Sequence, residues 1–94
     1  MILVRDVFQA KYGKGGELVA LLKETRQWPS GGYSRILTDA SGPFFTVVAE
    51  AEVASWAEWE KGIAELFSNP DFGGWFARMT PLVESGRREF YNVE

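Results

Sequence analysis

The chain is 94 residues long, 46% apolar and 15% aromatic, with ten Lys and Arg against thirteen Asp and Glu for a net charge of −3. That length suits one domain with a modest core, and the aromatic share excludes a disordered chain. The charges are scattered and slightly acidic, which leaves no footprint for nucleic acid or an anionic membrane, and no segment approaches the roughly eighteen apolar residues of a membrane span, so a cytoplasmic protein with neither partner is expected.

Cysteine and histidine are both absent. This removes disulfides, a thiolate nucleophile, Cys/His zinc sites, His-centred triads and His-ligated haem. No Asp-rich loop has calcium spacing, so no metal and no cofactor is expected.

In chain order, residues 2–10 are rich in β-branched and aromatic types and predict a first strand, stopped by Lys11-Tyr12-Gly13-Lys14-Gly15-Gly16. The glycines match neither phosphate-loop nor dinucleotide spacing, which leaves a tight strand-to-helix turn. Leu18, Leu21, Leu22 and Thr25 recur at helical spacing from Glu17 to about Gln27, and Trp28-Pro29-Ser30-Gly31-Gly32 closes that helix. Tyr33 to Thr38 and Phe44 to Val53 predict a hairpin around the turn 39–43. Ser55 and Glu58 form a capping box that starts the second helix, whose stripe is Trp56, Trp59, Ile63, Leu66 and Phe67. After Asn69-Pro70 the helical spacing resumes through Phe72, Trp75, Phe76, Met79 and Leu82, interrupted by Gly73-Gly74 and Pro81. Ser85-Gly86 then introduces a last strand, Arg87 to Val93.

The order βαββαβ without a linker predicts one α+β domain over residues 1–94: a ferredoxin-like, four-stranded antiparallel sheet with its helices on one face. The other face is informative, because side chains alternate along a strand. Ile2, Val4, Asp6 and Phe8 share one face of the first strand, and Leu3, Arg5, Val7 and Gln9 the other; in the third strand Phe45, Val47, Ala49 and Ala51 oppose Phe44, Thr46, Val48, Glu50 and Glu52. Both faces carry bulky apolar groups, so the face without helices needs cover. A second copy of the chain supplies it, with Leu3, Val7, Phe44 and Val48 at the interface.

The segment Val7-Phe8-Gln9-Ala10-Lys11-Tyr12-Gly13-Lys14, followed by a Leu-rich helix, resembles the first strand-to-helix junction of the dimeric α+β-barrel superfamily. That group includes the antibiotic-biosynthesis-monooxygenase-like and NIPSNAP-like domains; Tyr12 stands where proline is common in them. The final strand Gly86-Arg87-Arg88-Glu89-Phe90-Tyr91 is similar too. The resemblance implies a homodimer whose sheets meet as a barrel, with a pocket inside the barrel or between sheet and helices. It also implies, as one activity among several, cofactor-independent oxygenation or isomerisation of an aromatic or polycyclic substrate. The histidine used by haem-degrading members has no counterpart here.

Candidate site residues fall into two sets. The strand charges Arg5, Asp6, Arg35, Glu50, Glu52, Arg87, Arg88 and Glu89, with Gln9, have two readings: a convergent ligand pocket, or a cross-strand ion-pair ladder, which is favoured. In the pocket reading Arg5 and Arg35 hold an anionic or polar ligand, Glu50 is the nearby base, and Gln9, Thr46 and Tyr91 complete the lining. The aromatics Trp56, Trp59 and Phe72 read as core, whereas Trp75 and Phe76, beside two glycines, read equally as core or as the gate of an apolar pocket. Tyr33 and Tyr91 are the phenols nearest the sheet, read as structural before catalytic. A non-enzymatic structural or regulatory dimerisation module is the alternative to a small-molecule-binding domain.

Overall fold

The computed structural model describes residues 1–29 and 31–94; Ser30, which the sequence reading puts in the turn closing the first helix, lies outside the described residues. Four strands, β1 (Ile2–Ala10), β2 (Arg35–Thr38), β3 (Thr46–Val53) and β4 (Val83–Asn92), form one antiparallel sheet in the order β2-β3-β1-β4. The helices α1 (Gly15–Glu24), α2 (Trp56–Ser68) and α3 (Phe72–Met79) complete the ferredoxin-like α+β arrangement. Among the described residues no helix is long and apolar enough to cross a membrane.

Gly13, at φ 81°, supplies the left-handed step of the β1–α1 turn, which the Lys14 N–H closes on the Lys11 carbonyl at 2.8 Å. Leu18, Leu21 and Leu22 then fall on one face of α1 and are almost completely buried against Ala10, Val47 and Ala49. Each such leucine contributes about 1.5–3 kcal/mol of transfer free energy. Trp75 of α3 joins them at 8% exposure, its indole N–H donating to the Leu21 carbonyl at 2.9 Å. The core therefore lies at one end of the covered sheet face.

Several expected boundaries move. Helix α1 starts at Gly15 and ends in a 3₁₀ turn over Thr25–Gln27. Strand β2 begins at Arg35, not Tyr33, because the Tyr33 side chain leaves the sheet edge to bond Asp6. Strand β3 begins at Thr46, because Phe45 sits at φ 60°, outside the extended region. Gly73 and Gly74 do not interrupt α3, since its packed face, anchored by Trp75, outweighs their low helix propensity. Pro81 lies in a 3₁₀ turn, Thr80–Leu82, and β4 starts four residues before Arg87, its register slipping between Gln9 and Ala10 of β1.

The capping box forms on its Ser55 side, where the hydroxyl oxygen accepts from the Glu58 N–H at 3.2 Å. The stripe it introduces is not core. No residue of α2 is buried, and Trp56 is 54% exposed. Trp56 and Trp59 instead lean on one ring, that of Phe90 in β4, at centroid distances of 4.7 and 5.4 Å. Helix α2 thus stands away from the sheet.

Candidate functional site

A cavity of about 550 Å³ lies between the covered sheet face and the α2–α3 pair. Its floor is the alternate side chains of β1 and β3, Val4, Phe8, Ala51 and Val53, and its roof is Trp59, Ile63 and Leu66 of α2. Gly62 also lines the roof, and a Cβ placed there would meet nothing within 4 Å. Trp28, Phe67, Phe72, Trp75 and Phe76 form the aromatic end. Trp28 sets its ring edge-on to Trp75 at 5.3 Å, while Phe72 and Phe76 stack at 5.7 Å with an interplanar angle of 27°. These edge-on and stacked contacts join the rings into one continuous wall.

Besides Thr25, Glu52 and Glu58, which also line the cavity, its polar residues form one cluster. Asp6 and Arg88 are direct register partners on β1 and β4, both facing the cavity. The Arg88 guanidinium grips the carboxylate with two bonds, Nε to Oδ1 at 2.6 Å and Nη2 to Oδ2 at 3.0 Å. Tyr33, arriving from the loop before β2, donates its hydroxyl to Oδ2 at 2.5 Å. The outer face of the guanidinium lies 4.7 Å from the centroid of Trp59. Asp6 is only 4% exposed, so its negative charge rests almost wholly on these three donated bonds.

The cluster fixes protonation states. Burial, reinforced by the neighbouring Asp6 charge and the bond to it, pushes the Tyr33 phenol far above the ordinary tyrosine range. The same carboxylate, chiefly through its hydrogen bonds, raises Arg88. Tyr33 therefore stays a neutral phenol with its proton committed to Asp6, and both Asp6 oxygens are already engaged as acceptors, Oδ1 once and Oδ2 twice.

The open face of the sheet carries a different arrangement. Register aligns Arg35, Glu50, Arg5 and Glu89 in a single row across β2, β3, β1 and β4, with alternating sign. Glu50, 4% exposed, takes Arg35 Nε at 2.8 Å and Nη2 at 2.5 Å on one oxygen, and Arg5 Nε lies 3.1 Å from the other. The Arg5 N–H is not directed along that line, so the nitrogen is buried as an ion-pair partner without a hydrogen bond. Glu89 is drawn to Arg87 at 3.0 Å, and that bond lowers its carboxyl below the usual range. The next row, Leu37, Val48, Val7 and Arg87, is largely apolar.

The sequence-derived residues thus divide between two faces. Trp75 and Phe76 line the cavity, Trp75 as a buried wall and Phe76 as a half-exposed one. Arg5, Gln9, Arg35, Thr46, Glu50 and Tyr91 lie together on the open face, away from it, with Leu3, Val7 and Val48 among them and Phe44 exposed at the hairpin end. There Gln9 donates to the Phe44 carbonyl at 2.6 Å and its side-chain oxygen receives the Thr46 hydroxyl at 3.3 Å. The cavity's polar residues, Asp6, Tyr33 and Arg88, were visible in the sequence only as members of longer sets. One signal could have separated them: Asp6 is the lone charge in the Ile2, Val4, Phe8 face of β1.

The chain has the fold of solved structures of NIPSNAP domain proteins and of proteins named as antibiotic biosynthesis monooxygenases, the groups its strand-to-helix junction resembles. An uncharacterized NIPSNAP domain protein from Burkholderia xenovorans superposes with a TM-score of 0.89 at 15% identity, over 100% of this chain and 95% of that one. A NIPSNAP family protein from Agrobacterium tumefaciens superposes at 0.86 and 18% identity, over 99% and 85%. A Nitrosomonas europaea protein provisionally named an antibiotic biosynthesis monooxygenase superposes at 0.70 and 12% identity, over 99% and 98%. At these identities the likeness is one of fold. No family sequence profile and no curated protein matches the chain.

Proposed function

We propose that this chain is a small-molecule-binding domain that works as a homodimer, holding a flat apolar ring system between its sheet and the α2–α3 pair. The observation that carries the reading is the cavity of about 550 Å³, walled by aromatic rings and provided with the Asp6–Arg88–Tyr33 cluster. Space of that size left unfilled is costly for a chain of 94 residues, whose core is modest, and apolar cavities with a few convergent polar groups are the usual form of ligand sites. A domain serving only dimerisation has no use for it. Dimerisation itself is supported by the open face, where the apolar row Leu37, Val48 and Val7 borders a charge row that already balances itself.

The enzymatic form of this reading is oxygenation or isomerisation of an aromatic substrate without a cofactor. Binding is the better-supported part, because Asp6, among the described residues the one buried carboxylate lining the cavity, already accepts three hydrogen bonds. Two measurements test the proposal. Light scattering at micromolar concentration should give twice the chain mass, and Val48→Asp should give the monomer; a monomeric wild type would refute the homodimer. A melting-shift series of naphthalene, anthracene and larger neutral ring compounds should raise the wild-type melting temperature, and Gly62→Phe, which projects into the cavity, should abolish the shift. Oxygen uptake with a binding compound then separates an enzyme from a binder.

A further inference from the structure

Granting the ligand cavity proposed above, we infer that Asp6 is its specificity-determining residue: by spending the charge of Arg88, it turns a guanidinium site into one that selects uncharged ring compounds and rejects carboxylates. An arginine beside an aromatic wall ordinarily invites an anion. Here two of its nitrogens are bound by Asp6 at 2.6 and 3.0 Å, so the pair has no net charge to offer. Tyr33 adds none, since its proton is held on the same carboxylate. Among the described residues Arg88 is the only basic one lining the cavity, and Glu52 and Glu58, which also line it, make the surroundings acidic. A carboxylate entering this space would exchange its hydration for a region of net negative charge.

A cation gains no contact with Trp59, because the ring face that would attract it is already occupied by the guanidinium at 4.7 Å. What remains open is one donor of a charge-balanced pair, the Arg88 Nη1 edge, for which no partner exists among the described residues. It suits a carbonyl or amide oxygen on the edge of a ring. Of the apolar and anionic ligands that the sequence admits, the cavity therefore takes the first.

Tryptophan fluorescence quenching by 2-naphthamide, 2-naphthoate and 2-naphthylmethylammonium at pH 7.5 tests this. The wild type should bind the amide at least ten-fold tighter than either ion. Asp6→Asn, which releases the guanidinium charge, should raise naphthoate affinity ten-fold or more while changing the amide less than three-fold. Should Asp6→Asn fail to fold, the wild type still decides: naphthoate affinity should rise with ionic strength as repulsion is screened, and rise again in Glu58→Gln. Naphthoate binding as tightly as the amide, or weakening with salt, overturns the charge selection and leaves the ligand cavity standing. No quenching by any of the three probes overturns the cavity reading and this inference with it.

Discussion

Helices α1 and α2 cover two ends of the same sheet face, and they do it in opposite ways. Helix α1 presents leucines at helical spacing to the small residues Ala10, Val47 and Ala49, and the side chains interdigitate until Leu18 and Leu22 have no exposure. Helix α2 presents Trp59, Ile63 and Leu66 at the same spacing to the equally small Ala51 and Val53, yet buries nothing. The difference lies in what stands between helix and strand. Large rings of Phe90 and the Arg88–Trp59 stack prop α2 off the sheet at one side, and Phe67 and Phe72 prop it at the other. An amphipathic stripe shows which face of a helix turns inward, and the side chains at the contact decide how close it comes.

The comparison can be broken most decisively in the two helix faces themselves. Leu22→Ala should lower unfolding free energy by about 2–5 kcal/mol, because it opens a void in packed surroundings. Ile63→Ala should cost less than about 1 kcal/mol, because its side chain already borders empty space. Urea denaturation of both variants measures this, and equal losses would mean that α2 is packed as tightly as α1.

A smaller effect tests the Asp6 cluster. The unfolded phenol ionises near pH ~10, whereas Tyr33 in the fold holds its proton far higher. Its contribution is therefore fully present below about pH 10 and is lost as pH rises through the folded-state value. Tyr33→Phe should cost about 1 kcal/mol at pH 7 and should flatten the alkaline fall in stability relative to the wild type. A variant with an unchanged alkaline limb would show that the phenol is not buried against Asp6.

The smallest expected change is at Gly62. With nothing within 4 Å of its absent Cβ, Gly62→Ala should stabilise α2 by about 0.5–1 kcal/mol, and thermal melting should show the gain. Loss of stability would mean that the cavity closes in solution. Gly32 provides the contrast, since a Cβ there would lie 2.5 Å from the Thr25 hydroxyl, so Gly32→Ala should destabilise.

Much of the fold was legible because it rests on local rules. The alternation in β1 and β3, the leucine spacing of α1 and the Ser55 cap each concern residues a few positions apart, and each appears in the structure at its expected place. Boundaries set by distant contacts were not legible. Strand propensity alone places Tyr33 in β2, but Asp6, twenty-seven residues earlier in the chain, claims its hydroxyl. The apolar stripe that Trp56 opens predicts a core position for it, but a ring of β4, Phe90, receives it and it stays 54% exposed.

By itself, then, the sequence determined the α+β order, the two-faced sheet and the absence of thiol and imidazole chemistry, since these follow from residue type and near spacing. Tertiary structure alone decided which face holds the cavity and which charges meet. Asp6 and Arg88 are eighty-two positions apart, and their pairing is a consequence of strand register. Register is fixed by the packing of whole strands, so the polar centre of the site exists only once β4 is laid beside β1.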